Sequence, residues 1–400
     1  QLFHAGRQTT SRVTGHPPLA PSPITDPVTG ELPRELTKEE IAGLVKDFGK
    51  AATRAKAAGF DAVEIHCAHG YLLCEFLSPH TNRRTDEYGG TLDNRMRFPL
   101  EILRAVRQGV GPDYPVLARI SADEKMPGGI TLEEGKTIAK RFEQEGIDAI
   151  HVSAGLYETA NWVIQPLSRP RGCLVDLAEE VKSVVSIPVI TVGRINDPEL
   201  AESILAEGKA DLIAFGRALL ADEDLPKKVT EGRVHEIRRC IACCQACIDE
   251  LFAEHRIGCA INARSGYERE FPMTKARTSR KVLVVGGGPA GMEAARVATL
   301  RGHKVTLWEK TNALGGQLPL AAASPYKGEI GTLNDFLKTE MQRLGIKVHL
   351  DKEATVDAIR AEKPDAVVIA TGARPSDIQV PGGDHRNVIQ SWDVLTGSAH

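Results

Sequence analysis

Asp61-Ala62-Val63-Glu64-Ile65-His66 is a short β-branched run that ends on an imidazole, and His69 and Tyr71 follow within five residues. A brief apolar strand with chemistry at its carboxyl end points to an α/β enzyme built on parallel strands. Four more runs of this kind follow: Val116–Ile120, Ala149–Ser153, Val189–Val192 and Leu212–Phe215. Between and around them, helical periodicity predicts helices over Lys38–Ala58, Leu92–Gln108, Leu132–Glu145, Cys173–Val185 and Pro198–Glu207. An open doubly wound sheet and a TIM barrel both fit this alternation. The polar residues decide for the barrel: His66, Arg119, Ser153, Gly193-Arg194 and Gly216-Arg217 all lie at carboxyl ends of strands, the rim on which barrels carry their active sites.

Gln1-Leu2-Phe3-His4 reads as the close of another strand, which brings the positions to six. Six strands cannot close an eight-stranded barrel, so two are expected to be missing from the amino end. Both ends of the chain read as cut. Gly193-Arg194 and Gly216-Arg217 follow the last two strands, where glycine lets backbone N–H groups approach an anion and arginine adds a bidentate donor. Each dipeptide is weak alone. Together they suggest a phosphate site.

Five of the eight cysteines fall within twenty residues, and Cys240, Cys243, Cys247 and Cys259 have the spacing C-x2-C-x3-C-x11-C. Four thiolates suit tetrahedral zinc or an iron–sulfur cubane, and three closely grouped thiolates fit one face of a cubane better. Cys244 breaks the pattern; adjacent cysteines seldom both ligate one cubane, so it is placed outside the ligand set. Arg238 and Arg239 precede the cluster segment, either moderating its charge or lying on plain surface.

Beyond a polar, basic stretch (Thr274–Arg280), Lys281–Val285 predicts a strand, Gly286-x-Gly288-x-x-Gly291 a tight turn and Met292–Arg301 a helix. A second strand, Val305–Trp308, ends at Glu309, suitably placed for a ribose hydroxyl. FAD or NAD could occupy such a turn.

The formal charge of -3 offers no cue for nucleic acid. No apolar run approaches the roughly 20 residues that span a bilayer. Clustered cysteines in a chain of this length argue against a disulfide-stapled secreted domain, and a reducing cytoplasm is the expected compartment. The expected organisation is α/β throughout: a partial barrel over 1–225, a cluster segment over 226–275, and a Rossmann-like FAD/NAD(P)-binding domain, itself incomplete, over 276–400.

Gln1–Arg7, Gly59–Leu73, Phe76-Leu77-Ser78-Pro79, Asn82, Arg84-Thr85-Asp86 and Tyr88-Gly89-Gly90 resemble the flavin-binding barrel of the old yellow enzyme family. With the cysteines and glycine turn attached, the whole chain resembles its multidomain branch, the NADH:flavin oxidoreductases that include 2,4-dienoyl-CoA reductase, 2-enoate reductase and trimethylamine dehydrogenase. The resemblance implies FMN in the barrel, with Gln1 and Arg119 against the isoalloxazine and Gly193, Arg194, Gly216 and Arg217 at its phosphate. It implies a [4Fe–4S] cluster on Cys240, Cys243, Cys247 and Cys259. FAD is implied on Gly286, Gly288, Gly291 and Glu309, with Gly315-Gly316-Gln317-Leu318 as the flavin-side loop and Ala370–Pro375 as the strand-end signature; ADP alone is the alternative there. NAD(P)H is the implied electron donor, on a second nucleotide domain with no glycine fingerprint in this chain.

His66, His69 and Tyr71 could form a structural polar network or a catalytic pocket on spacing alone. The resemblance implies that His66 and His69 polarise the substrate's electron-withdrawing group while Tyr71 donates a proton. Tyr157 stands where dienoyl-CoA reductases place a second catalytic histidine, so this donor arrangement differs from theirs. Trimethylamine dehydrogenase has tyrosine in place of His66, which favours a carbonyl pocket here. The expected activity is NAD(P)H-dependent reduction of an activated C=C bond of an enoate or enoyl substrate. The runner-up is an amine dehydrogenase or N-demethylase that passes hydride to FMN. The expected partner is a small molecule, with neither nucleic acid nor membrane; self-association is left open.

Overall fold

The computed structural model describes residues 1–376 and 380–398. The chain divides into two compact units, Gln1–Phe215 and one beginning at Gly216.

In the first unit, five parallel strands pair in sequence order: β1 (Val63–Cys67), β2 (Val116–Ser121), β3 (Ala149–Ser153), β4 (Val189–Thr191) and β5 (Leu212–Ile213). Leu2 adds a sixth position by bridging in parallel to Ile65. Each strand neighbours the next in the chain, as in a barrel wall; a doubly wound sheet would reverse its order. The predicted strands recur with trimmed ends. Asp61 lies before β1, which begins where Val63 N–H donates to Pro115 O, and β5 stops before Phe215, which packs instead with Val175 and Ile195.

Five helices match the predicted ones: α1 (Lys38–Ala57), α3 (Leu92–Val110), α4 (Leu132–Gln144), α5 (Val175–Lys182) and α6 (Pro198–Ala206), while the short α2 (Leu72–Leu77) follows β1. Local chemistry sets their starts. Thr37 with Glu40 and Thr131 with Glu134 form capping boxes, and Asp197 caps α6 ahead of Pro198 at its first position. α1 and α3 approach closely because Gly49 and Gly109 meet there; a Cβ on Gly109 would stand 2.8 Å from Gly49 O. Val63, Ile65, Ala118, Ile120, Ile150 and Val152 pack under the helices in the main core. Their neighbours in each strand, Glu64, His66, Arg119, His151 and Ser153, necessarily take the opposite face. That division puts the polar residues inside the barrel.

In the second unit, β6 (Lys281–Val285), β7 (Lys304–Trp308), β8 (Lys347–His349) and β9 (Ala366–Ile369) form a parallel sheet in the order β8-β7-β6-β9. This is the nucleotide-binding arrangement, with the order reversing at β6. The helix after the glycine turn, α7 (Pro289–Leu300), begins three residues before its predicted start, because proline is pre-organised for the first helical position. Its Met292 and Ala295 pack with Phe336, Leu337 and Met341 of α8 (Gly331–Arg343). Among the described residues no helix is long and apolar enough to cross a membrane.

Candidate active site and cofactor sites

Strand register assembles the first site. His66 stands opposite Arg119, and Arg119 opposite His151, so an imidazole, a guanidinium and a second imidazole form one row across β1, β2 and β3. One step further toward the carboxyl ends, Ser121 stands opposite Ser153. The loop after β1 then folds back on this row through two consecutive left-handed residues, His69 (φ 65) and Gly70 (φ 77). Its N–H groups and side chains are bound in place: His69 N donates to Ser121 Oγ at 2.9 Å, and Gln8 Nε2 donates to His69 O at 2.9 Å.

The two predicted histidines touch. Nδ1 of His69 lies 3.3 Å from Nε2 of His66, and Nε2 of His69 lies 2.6 Å from Ser153 Oγ. Their tautomers follow by accounting. Ala68 N donates to His66 Nδ1 at 3.3 Å, so a neutral His66 carries its proton on Nε2. His66 Nε2–H then donates to His69 Nδ1, and His69 Nε2–H donates to Ser153. Both rings are neutral: burial, reinforced by the Arg119 charge, pushes His66 down to about 3 and His69 well below its ordinary value.

Tyr71 caps the start of α2 and lies against His66 with ring centroids 5.0 Å apart. Its hydroxyl is 3.3 Å from that of Tyr157, so the structure brings all four predicted catalytic residues together. Burial and the Tyr71 hydroxyl both push the Tyr157 phenol up. Trp162 lies under the Arg169 guanidinium at 3.9 Å with Lys125 Nζ 5.3 Å from its ring.

Beneath the row is a network that the sequence did not single out. Glu64 accepts from Gln1 Nε2 at 2.5 Å and pairs with His151 Nδ1 at 2.7 Å. Burial pushes Glu64 up, but His151, Gln1 and Arg119 hold it below the ordinary carboxylate range. Arg119 Nε and His151 Nε2 are buried with no partner among the described residues. Arg119 Nε is a donor and calls for an acceptor, which the edge of a flat ring can supply; His151, whose Nδ1–H goes to Glu64, presents Nε2 as an acceptor. The only advance sign of this network was polar residues, Glu64 and His151, inside otherwise apolar strands.

Gly193 (φ 118) and Arg194 (φ 51) turn the chain sharply after β4, and a Cβ on Gly193 would come within 2.9 Å of Leu174. Arg194 Nη1 donates to the carbonyls of Pro166, Leu167 and Arg169 at 3.1, 3.0 and 2.7 Å. That nitrogen braces a loop.

In the second unit, Gly216 precedes the short helix Arg217–Ala221. Arg217, Cys240, Cys243, Cys244, Cys247 and Cys259 line a single cavity. Gly258 N donates to Ala246 O at 2.8 Å and so carries Cys259 back to the other three. None of these cysteines forms a disulfide among the described residues, and burial raises the Cys240 thiol. Among the described residues no three His, Cys, Asp or Glu side chains converge as ligands of one ion; the cysteines are spread around the cavity wall.

The glycine turn is packed tightly. A Cβ on Gly286 would strike Ala370 O, and one on Gly291 would strike Gly286 O. Gly316 (φ 54) sits on Gly288, its own hypothetical Cβ 2.9 Å from the Gly288 Cα. Glu309 closes β7, accepting from Gly287 N at 2.6 Å and from Thr311 N and Oγ1 at 2.9 Å. Burial works to raise its carboxyl, but these donors hold it below the ordinary range. Gln317 Nε2 donates to Ala373 O at 3.1 Å, joining the two predicted flavin-side segments.

Residues 1–236 match the family described as NADH:flavin oxidoreductase / NADH oxidase, and residues 280–397 match pyridine nucleotide-disulphide oxidoreductase. The chain is 50% identical to NADH oxidase of Thermoanaerobacter brockii over 402 residues, 99% of this chain and 62% of that protein. It superposes on 2-naphthoyl-CoA reductase with a TM-score of 0.96 at 37% identity, covering 100% of this chain and 63% of that one. Histamine dehydrogenase from Rhizobium sp. 4-9 gives 0.86 at 32% identity, with 94% and 56% covered. The chain thus spans less than two thirds of the relatives it matches. The family match over more than half of the chain, with the Thermoanaerobacter brockii relative at 50% identity, shows that the chain belongs to the NADH:flavin oxidoreductase / NADH oxidase family.

Proposed function

We propose that the full-length protein is an NAD(P)H-dependent flavin/iron–sulfur oxidoreductase that reduces a C=C bond conjugated to a carbonyl. The observation that carries this reading is the phenol of Tyr71 set 5.0 Å, ring to ring, from a neutral His66–His69 pair on the barrel rim. Bound FMN would supply hydride to the alkene's β carbon, and a [4Fe–4S] cluster would pass electrons singly between flavins.

The remaining work falls to this chain. Arg119 and Gln1 would hold the flavin ring, the guanidinium stabilising negative charge at its N1/O2 edge. His66 Nε2–H, which here donates to His69 Nδ1, would be shared with the substrate's carbonyl oxygen and stabilise charge that develops there, with His69 holding the ring in place. Tyr71 would protonate the α carbon; a phenol is mostly protonated at neutral pH and can act as a general acid. Tyr157, held up by burial, stays protonated beside it and can return a hydrogen bond to the Tyr71 oxygen. Main-chain groups at Gly193 would meet the FMN phosphate. A cubane suits cysteines that ring a cavity without converging on one point, because each ligand holds a different iron. Gly286, Gly288, Gly291, Glu309 and Gln317 would hold FAD.

Tyr71→Phe in the anaerobically purified full-length protein tests the assignment. Flavin reduction by NAD(P)H should persist, while alkene-dependent reoxidation should slow by roughly 10²–10⁴-fold, the usual scale for a lost positioned acid. Equal slowing of both half-reactions would remove the role. Bleaching of the flavin by amines, with no oxidation by enoates, would favour the dehydrogenase or demethylase alternative.

A further inference from the structure

Arg217 faces the cysteine cavity rather than bare solvent. Its Nη1 donates to Cys244 Sγ at 3.3 Å, and both residues line the cavity with Cys240, Cys243, Cys247 and Cys259. Cys244 also holds a left-handed backbone (φ 62), as does Ala242 two residues earlier (φ 49). Side-chain-bearing residues rarely adopt that conformation.

We propose that Arg217 tunes the reduction potential of the cluster and that Cys244 is a fifth, non-ligating thiol that anchors the guanidinium at the cavity wall. This rests on the reading that the four other cysteines hold [4Fe–4S]. A cluster bound by four thiolates is anionic and gains a further negative charge on reduction. A fixed cation and an N–H donor beside its sulfurs stabilise the reduced form more than the oxidised one. The potential therefore rises. The sequence placed Arg217 with a phosphate; its contact with Cys244 sets the guanidinium on the wall of the cysteine cavity.

The test uses full-length protein purified without oxygen, with iron and acid-labile sulfide measured first and the cluster then titrated potentiometrically by EPR. Arg217→Gln should retain iron, but at the wild-type midpoint its reduced-to-oxidised ratio should fall about tenfold, equivalent to about 59 mV for one electron. Arg217→Lys should recover most of that loss. Cys244→Ala should retain iron and move the ratio in the same direction by roughly threefold, while Cys244→Ser, whose oxygen still accepts, should stay closer to wild type. Unchanged midpoints in both Arg217→Gln and Cys244→Ala would overturn the proposal, as would loss of iron from Cys244→Ala, which would make that thiol a ligand. If Arg217→Gln fails to accumulate, the Cys244 pair decides. Wild-type protein without iron and sulfide would remove the cluster reading itself.

Discussion

Ser153 shows how far residue-level inference reaches. It is visible in the sequence only as a polar strand end, yet its oxygen accepts from His69 and so orders the protons of both histidines. Ser153→Ala would leave His69 Nε2–H buried without an acceptor, at a cost of about 1–3 kcal/mol in stability. Ser153→Thr keeps an oxygen and should recover part of it. Because His69 reaches the pocket through His66, substitutions of the two should be strongly non-additive in alkene reduction. A double-mutant cycle measures this, and additive losses would mean that each histidine contacts the substrate independently. The spacing of His66, His69 and Tyr71 announced a pocket. It could not announce the His66–His69 contact, which depends on a left-handed His69 and on a serine two strands away.

At the scale of elements, periodicity placed the helices and strands that it marked to within a few residues, because that signal is local, but it left α2, α8, β8 and β9 unassigned. Close approach is not local. Gly43 and Gly109 are both helical glycines, and sequence treats them alike. In the structure a Cβ on Gly43 meets nothing within 4 Å, whereas one on Gly109 stands 2.8 Å from a backbone carbonyl of α1. Gly43→Ala should therefore stabilise by up to about 1 kcal/mol through helix propensity. Gly109→Ala should destabilise by about 1–3 kcal/mol through overpacking. Chemical denaturation of the two variants checks the opposite signs; equal stabilisation would mean that the α1–α3 crossing is looser than the structure shows. The stretch that carries the family resemblance most strongly is partly scaffold. Asn82 Nδ2 donates to Phe76 O and Tyr88 O at 2.8 Å, and Arg84 pairs with Asp86 at 2.6 Å. Motif residues need not touch a ligand to be diagnostic.

Two imidazoles in the barrel interior contribute acid sensitivity to the whole molecule. His66 and His69 are held neutral in the folded state, His66 at about 3 against an ordinary 6.5. A depressed folded pKa means that the unfolded chain binds more protons as pH falls below 6.5, so stability is lost in that direction. Each such group contributes a slope of up to about 1.4 kcal/mol per pH unit between its unfolded and folded values. Buried Glu75 and Glu124, whose carboxyls burial pushes up, act in the opposite sense in this window, so the histidine contribution is read by difference: the gap in unfolding midpoint between wild type and His66→Gln should change between pH 6.5 and pH 5. A gap independent of pH there would show that the His66 ring is not buried as a neutral species.

From the chain alone came the barrel repeat, the cysteine spacing, the glycine turn with its acid, and the family. Each is a pattern of short range or of fixed spacing, written directly in residue order. Tertiary structure decided which polar groups meet: Glu64 with His151 and Gln1, His69 with Ser153, Tyr71 with Tyr157, and Arg217 with Cys244. Those contacts join residues that are mostly dozens of positions apart. Strand register, burial and backbone handedness select them, and none of the three can be read from spacing.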